Sequence, residues 1–157
     1  MFLRPILSRD RESLVTLLQR IDTFTLEERE VALELIDDSI KRPEQSGYQC
    51  IVAVDDGDAC AGYLSYGRTP MTEATYDLYW VAVDPAHRGK GLGRKLCQAF
   101  EETVREAAGT LIRVETSSQE AYSGTLQFYL DAGYVEGGRL PGFYKPGDDL
   151  VILYKSL

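Results

Sequence analysis

Histidine is nearly missing from this sequence: its 157 residues contain one, His87. A lone imidazole lacks the HExxH partner of a zinc hydrolase and argues against a histidine-based nucleophile triad. Cysteine is scarce as well. Cys50, Cys60 and Cys97 are odd in number with no CxxC pair, which signals neither a disulfide framework nor a zinc knuckle and leaves three buried thiols as the expectation. Positive charge is in deficit: 17 Lys and Arg against 25 Asp and Glu give −8, so little would be gained from counterion release on a nucleic-acid backbone, and nucleic acid is not expected as a partner. Long apolar runs are absent too. No window approaches the length of a membrane span, and the apolar start of MFLRPILSRDRESL is too short for a signal-peptide core, so the chain reads as soluble and cytoplasmic with no membrane partner. Metal chemistry is not expected, which leaves carboxylates, tyrosines and backbone groups.

What is present fits one globular domain over 1–157, with 44% hydrophobic and 27% charged residues. Residues 2–7 read as a strand. Ser8 or Asp10 can cap a helix carrying Leu14, Leu17, Leu18 and Ile21 at helical spacing. Thr25-Leu-Glu-Glu28 is a capping box that opens a second helix, with a stripe of Leu26, Ala32, Leu35, Ile36 and Ile40. Residues 48–54 and 59–66 flank Asp55-Asp-Gly-Asp58 as an antiparallel hairpin. The aromatic and β-branched run 75–83 is a fourth strand, stopped by Asp84-Pro85. Leu92, Leu96, Phe100 and Val104 recur every four residues in a helix over 91–107. A strand at 111–116, a helix near 123–132, a strand at 134–139, a loop from Leu140 to Asp148 and a last strand at 149–155 complete the chain. The order β-α-α-β-β-β-α-β-α-β-β predicts an α+β fold, a mixed sheet of about seven strands with helices on both faces.

The segment His87-Arg-Gly-Lys-Gly-Leu-Gly-Arg-Lys95 reverses the local charge of an acidic chain, with four Lys or Arg in nine residues and three alternating glycines between a strand and a helix. Glycine lets backbone N–H groups turn outward at the positive end of a helix dipole, which suits a pyrophosphate, and the basic side chains add charge-assisted hydrogen bonds. The spacing is not that of Walker A, GxxxxGK[ST], nor of the dinucleotide fingerprint GxGxxG, which would need glycine where Arg94 stands.

The spacing is [RQ]xxGxG, and with VAVDPAHRGKGLGRKL at 81–96 and TLQFYLDAGYVEGG at 125–138 the chain resembles the GNAT superfamily of acyl-CoA-dependent N-acyltransferases. The resemblance implies a GNAT-like, mostly antiparallel sheet and acetyl-CoA as cosubstrate, without a metal. It further implies direct attack of a primary amine, on a small molecule or a peptide, upon the thioester. Cofactor contacts would come from the backbone of Val81 and Val83 where the fourth strand splays from the fifth, from Arg88, Gly89, Lys90, Gly91, Leu92, Gly93 and Arg94, and from Thr125 and Phe128. Tyr129 matches the tyrosine near the leaving sulfur, as its acid. Asp77 and Glu115 match positions that hold a glutamate in other members, and are the two candidates for the base; either could instead pair with Arg113. One departure is the segment Gln119–Thr125, which replaces the family's usual Asn before the following helix.

Strict alternation along the fourth strand would put Asp77, Tyr79, Val81 and Val83 on one face, with Leu78 and Trp80 on the other. Tyr122 and Tyr144 are expected in loops beside the cleft, and Glu73, Glu136, Asp148 and Asp149 give the substrate side an acidic cast that favours a cationic amine. A second reading is a CoA-binding sensor or interaction domain that keeps the phosphate loop without chemistry. Homodimers are common among similar proteins.

Overall fold

The computed structural model describes residues 1–119 and 123–157. Along the chain run β1 (Phe2–Pro5), α1 (Arg11–Gln19), α2 (Leu26–Lys41), β2 (Tyr48–Val54), β3 (Cys60–Arg68), β4 (Thr75–Val83), α3 (Leu92–Glu106), β5 (Leu111–Ser117), α4 (Ser123–Asp131), β6 (Val135–Lys145) and β7 (Asp148–Ser156). The strands form one sheet in the order β1-β2-β3-β4-β5-β7-β6, antiparallel except between β4 and β5. The α+β class and mixed sheet expected from the sequence are what the chain adopts.

Each face of the sheet carries its own core. Leu14, Leu17, Leu18 and Ile21 of the α1 segment, with Ala32 and Ile36 of α2, pack on Cys50, Val52, Tyr63 and Ala82. On the opposite face Leu92, Leu96, Phe100 and Val104 of α3 join Tyr129 of α4 over Leu64, Leu78, Ile112, Val114 and Leu153. Removing a fully buried leucine such as Leu96 to alanine would forfeit ~2–5 kcal/mol. Cys50, Cys60 and Cys97 are free and buried.

The capping box forms as the sequence dictates: Thr25 Oγ1 accepts from the Glu28 N–H at 3.1 Å, and the Glu28 carboxylate accepts from the Thr25 N–H at 2.7 Å. Three local expectations are corrected. Asp10 does not cap α1, because its buried carboxylate turns back to accept from Arg4 at 2.6 and 2.8 Å and from the Leu7 N–H at 2.7 Å. Leu26 is 77% exposed, since the first residue after the cap lies outside the face that α2 turns inward. Residues 140–145 continue as strand instead of loop. Pro141 and Gly142 are tolerated because β6 is an edge strand and bulges there, with Leu140 opposite Leu150 but Lys145 opposite Asp148. The turn itself shrinks to Pro146-Gly147.

The fourth correction matters most for the site. In the β3–β4 ladder Ser65 pairs with Trp80 and Tyr66 with Leu78, which leaves Tyr79 as an extra residue. This bulge resets the alternation. Leu78, Val81 and Val83 all pack on the α3 side, while Trp80 and Ala82 pack on the α1–α2 side, so Leu78 and Trp80 lie on opposite faces. Asp77, beside Leu78, is on the α1–α2 side and does not share a face with Val81 and Val83.

Candidate active site

β4 and β5 pair only from Thr75 with Leu111 to Leu78 with Val114, although β4 runs on to Val83. Beyond Leu78 the strands part. The Asp84 N–H donates to Ala61 O of β3 at 2.9 Å, so by alternation the backbone groups of Val81 and Val83 point the other way, into the gap toward β5. An open cleft of about 390 Å³ lies beside the end of this strand, lined by Val83, His87, Arg88, Gly89, Gly91, Leu92, Gly93, Arg94, Phe128, Asp131 and Ala132.

Asp84 builds the turn into the cleft. Its buried carboxylate accepts from the Ala86 N–H at 2.9 Å and from Arg20 at 2.9 Å, which ties the turn to the end of α1. Burial alone would raise its pKa, but the Ala86 N–H, Arg20 and His87 outweigh it and hold the carboxyl below the usual range. Gly89 and Gly91 then adopt φ of 72° and 74°, a conformation that other residues rarely take, and a Cβ at either would meet no described atom within 4 Å. Their open side is the cleft. Gly93 is small for a different reason, since its Cβ would lie 3.3 Å from the Phe128 ring and 3.7 Å from Val83.

The basic side chains of this loop are braced by carbonyls. Arg88 Nε donates to Val83 O at 3.4 Å, Lys90 Nζ to Ala86 O at 3.2 Å, and Arg94 to Asp131 O at 3.0 Å, which joins α3 to the end of α4. The neighbouring seam is locked by Lys155, which donates to Glu101 at 2.8 and 2.9 Å and to Ala132 O at 2.8 Å. Open glycine backbone, a helix N-terminus and the guanidinium groups of Arg88 and Arg94 make a cradle that fits a pyrophosphate. Among the described residues no cluster of ligating side chains suits a metal.

Of the residues picked out in the sequence, Val83, Arg88, Gly89, Gly91, Leu92, Gly93, Arg94 and Phe128 come together as walls of the cleft; Val81, Lys90, Thr125 and Tyr129 do not line it. Tyr129 is 3% exposed, its ring edge-on to Phe128 and Tyr134. Burial, reinforced by Cys97, pushes its hydroxyl far above the ordinary tyrosine value.

The two carboxylate candidates occupy different surroundings. Asp77 is 5% exposed and accepts from Arg113 Nε at 2.6 Å, its register partner on β5. Glu115 keeps 46% of its side chain exposed and stands 3.7 Å from Arg113 Nη1. Tyr144 lies on strand β6 and not in a loop, half exposed and edge-on to Phe143. Partial burial raises its pKa, and so does the negative charge of Glu115, Asp148 and Glu28, which places three carboxylates around this aromatic. Of the other acidic residues named from the sequence, Glu136 and Asp149 are engaged with Arg139. Tyr122 and part of the Gln119–Thr125 segment lie outside the described residues.

Asp84, His87, Asp131 and Ala132 were not singled out for the cleft in the sequence. The signal for the first two was their place: Asp84 opens and His87 closes the four residues that lead into Arg88. Asp131 and Ala132 join it only through the docking of α4 on α3, which no local pattern encodes.

Comparison with known proteins agrees with this geometry. Residues 46–136 match the model of the GNAT acetyltransferase domain. A solved GNAT-family protein from Desulfovibrio desulfuricans is 38% identical over 99% of this chain and 98% of its own, with a TM-score of 0.94. The N-alpha-acetyltransferase RimI of Mycobacterium tuberculosis is 28% identical over 82% of each chain. An aminoglycoside 6′-N-acetyltransferase solved with coenzyme A shares the fold at 18% identity, with a TM-score of 0.74 over 99% of this chain and 97% of that one. The chain spans 26% and 56% of the length of two further curated relatives. The parted β4 and β5, the glycine cradle between β4 and α3, and the domain match over more than half of the residues together make this chain a member of the GNAT acetyltransferase family.

Proposed function

We propose that this protein transfers an acetyl group from acetyl-CoA to a primary amine by direct attack. The observation that carries the reading is the cationic glycine cradle at the N-terminus of α3, opening where β4 leaves β5. Acetyl-CoA supplies the electrophilic thioester carbonyl and the leaving thiolate. Gly89, Gly91 and Gly93 offer backbone N–H groups to the pyrophosphate, with Arg88 and Arg94 beside them. The gap-facing backbone of Val81 and Val83 orients the pantetheine and polarises the carbonyl. Tyr129 serves as hydrogen-bond donor to the leaving sulfur. Its raised pKa keeps the proton on oxygen at any working pH, so it acts by donation and not by ionising.

The base is Glu115. An alkylamine with an ordinary pKa near ~10.4 is almost wholly protonated at neutral pH, so its proton must be accepted, directly or through water, by a group within reach. Glu115 is accessible, whereas Asp77 is enclosed and committed to Arg113, which makes Asp77 a positioning residue for that guanidinium. The carboxylates around Tyr144 favour an acceptor that arrives as a cation, and RimI, named for N-alpha acetylation, is a relative of matching length. The test is thiol release from acetyl-CoA across a panel of small amines and peptides with free N-termini. Release that depends on the amine supports the reading. Tight CoA binding with no release at any pH from 6 to 9.5 would replace it with the sensor reading.

A further inference from the structure

The cleft holds one titratable group that the proposed reaction does not use. His87 ends the short helical turn Pro85–His87 and lines the cleft beside Arg88, Gly89 and Gly91. Its Nδ1 is sealed from solvent with no hydrogen-bond partner among the described residues, and faces Asp84 Oδ1 across 3.9 Å. The side chain is nevertheless 29% exposed, so with Nδ1 sealed other atoms of the side chain meet solvent. A ring with a carboxylate behind it and a phosphate cradle in front is built to be positively charged when the cradle is filled.

We propose that His87 is a phosphate ligand of the cofactor whose neutral imidazole takes up one proton from solvent as coenzyme A binds. This rests on the reading of the cleft as a coenzyme A site. In the bound state Nε2–H donates to a phosphate oxygen and Nδ1–H is directed at the Asp84 carboxylate. The charged groups around the ring decide the sign. Asp84, on its own turn, favours the proton; Arg88 and Lys90 of the loop and Arg94 of α3 oppose it; Asp131 of α4 lines the same cleft, and Arg20 at the end of α1 offsets part of the Asp84 charge. Phosphate charge offsets the three opposing cations and adds its own attraction, so the imidazole pKa rises on binding.

A group whose pKa is raised in the complex strengthens binding fully below its free value, and that gain disappears as pH rises through its bound value. A rise of about one unit on binding makes the affinity up to about tenfold tighter well below the free value than well above the bound one.

Because His87 is the only histidine, proton NMR of the untagged protein follows its ring directly. The midpoint of its imidazole C–H signals should move up by about one pH unit on saturation with CoA. In a parallel titration with dephospho-CoA, a retained shift assigns the contact to the pyrophosphate and a lost one to the 3′-phosphate. A midpoint that stays put or falls while calorimetry shows CoA bound overturns the role of His87 and leaves the cofactor reading intact; absence of CoA binding overturns both. His87→Gln keeps a neutral donor and removes the titration, so its affinity should lose this pH dependence relative to wild type. The 3′-phosphate also gains a proton near pH ~6, but it does so for both proteins, and the difference between them is the readout. An identical pH dependence in the two would also refute the proposal.

Discussion

Gly91 and Gly47 form a natural pair for testing the cradle. Both hold positive φ, 74° and 75°, and a Cβ at either meets no described atom within 4 Å, but Gly91 opens on the cleft while Gly47 sits in the connection between α2 and β2. Gly91→Asp and Gly47→Asp should therefore each cost about 1–2 kcal/mol of left-handed strain, lowering Tm by a few degrees. A carboxylate at the N-cap of α3 complements the helix dipole, so the cleft variant should melt no lower than its control. Binding should separate them. One carboxylate near ~4 Å from a phosphate charge costs up to about 4 kcal/mol at a surface-like dielectric. Screening by Arg88 and Arg94 reduces this to about 1.5–3 kcal/mol, a 10- to 100-fold weaker affinity for CoA by calorimetry. Equal CoA affinity in two folded variants would show that phosphate does not lie against this loop.

Tyr129→Phe should lower kcat about 10²-fold with CoA affinity unchanged, and because burial pushes the hydroxyl up, wild-type kcat should show no alkaline fall from this group up to pH ~10. Glu115→Gln should depress kcat/KM most below pH 8 with a nearly unchanged Tm, whereas Asp77→Asn, which strips Arg113 of its 2.6 Å partner, should lower both; the reverse pattern would make Asp77 the base. At Asp10, burial favours the neutral acid, but Arg4 and the Leu7 N–H outweigh it and hold the pKa below the ordinary value. A lowered folded-state pKa gives stability that is complete above the unfolded value near ~3.9 and is lost as pH falls through the folded one. Asp10→Asn should therefore cost about 3 kcal/mol at pH 7 and progressively less toward pH 2, as read from urea melts.

Helix stripes, the capping box and the aromatic fourth strand were legible because each repeats or terminates within a few residues. The cradle was legible for the same reason, since alternating glycines among cations form one contiguous segment. What was hidden depends on register. No residue near Tyr79 marks the bulge, which arises from matching β4 to β3, so counting by twos put Val81 on the same face as Asp77. Pro141-Gly142 read as a loop because local breaker residues say nothing about whether a strand lies at an edge. Asp10 suited a cap by sequence, and only the arrival of Arg4 from the neighbouring strand redirected its carboxylate.

The extra residue at Tyr79 works as a frameshift within a single strand. Upstream of it, odd-numbered side chains are read by the α1–α2 layer; downstream, odd-numbered side chains are read by α3. Excision of Tyr79 with Trp80 onward kept in its register would leave Asp77 beside a residue of the same facing two positions on, and would close the strand against β3 without its bend. With Tyr79 kept and the bulge flattened, strict alternation from Asp77 would instead turn Val81 and Val83 toward α1 and α2, and the backbone groups now open to the gap would turn to β3. An unbulged strand of the same length could therefore serve either Asp77 at one end or the open backbone at the other, and this strand serves both because the phase slips between them.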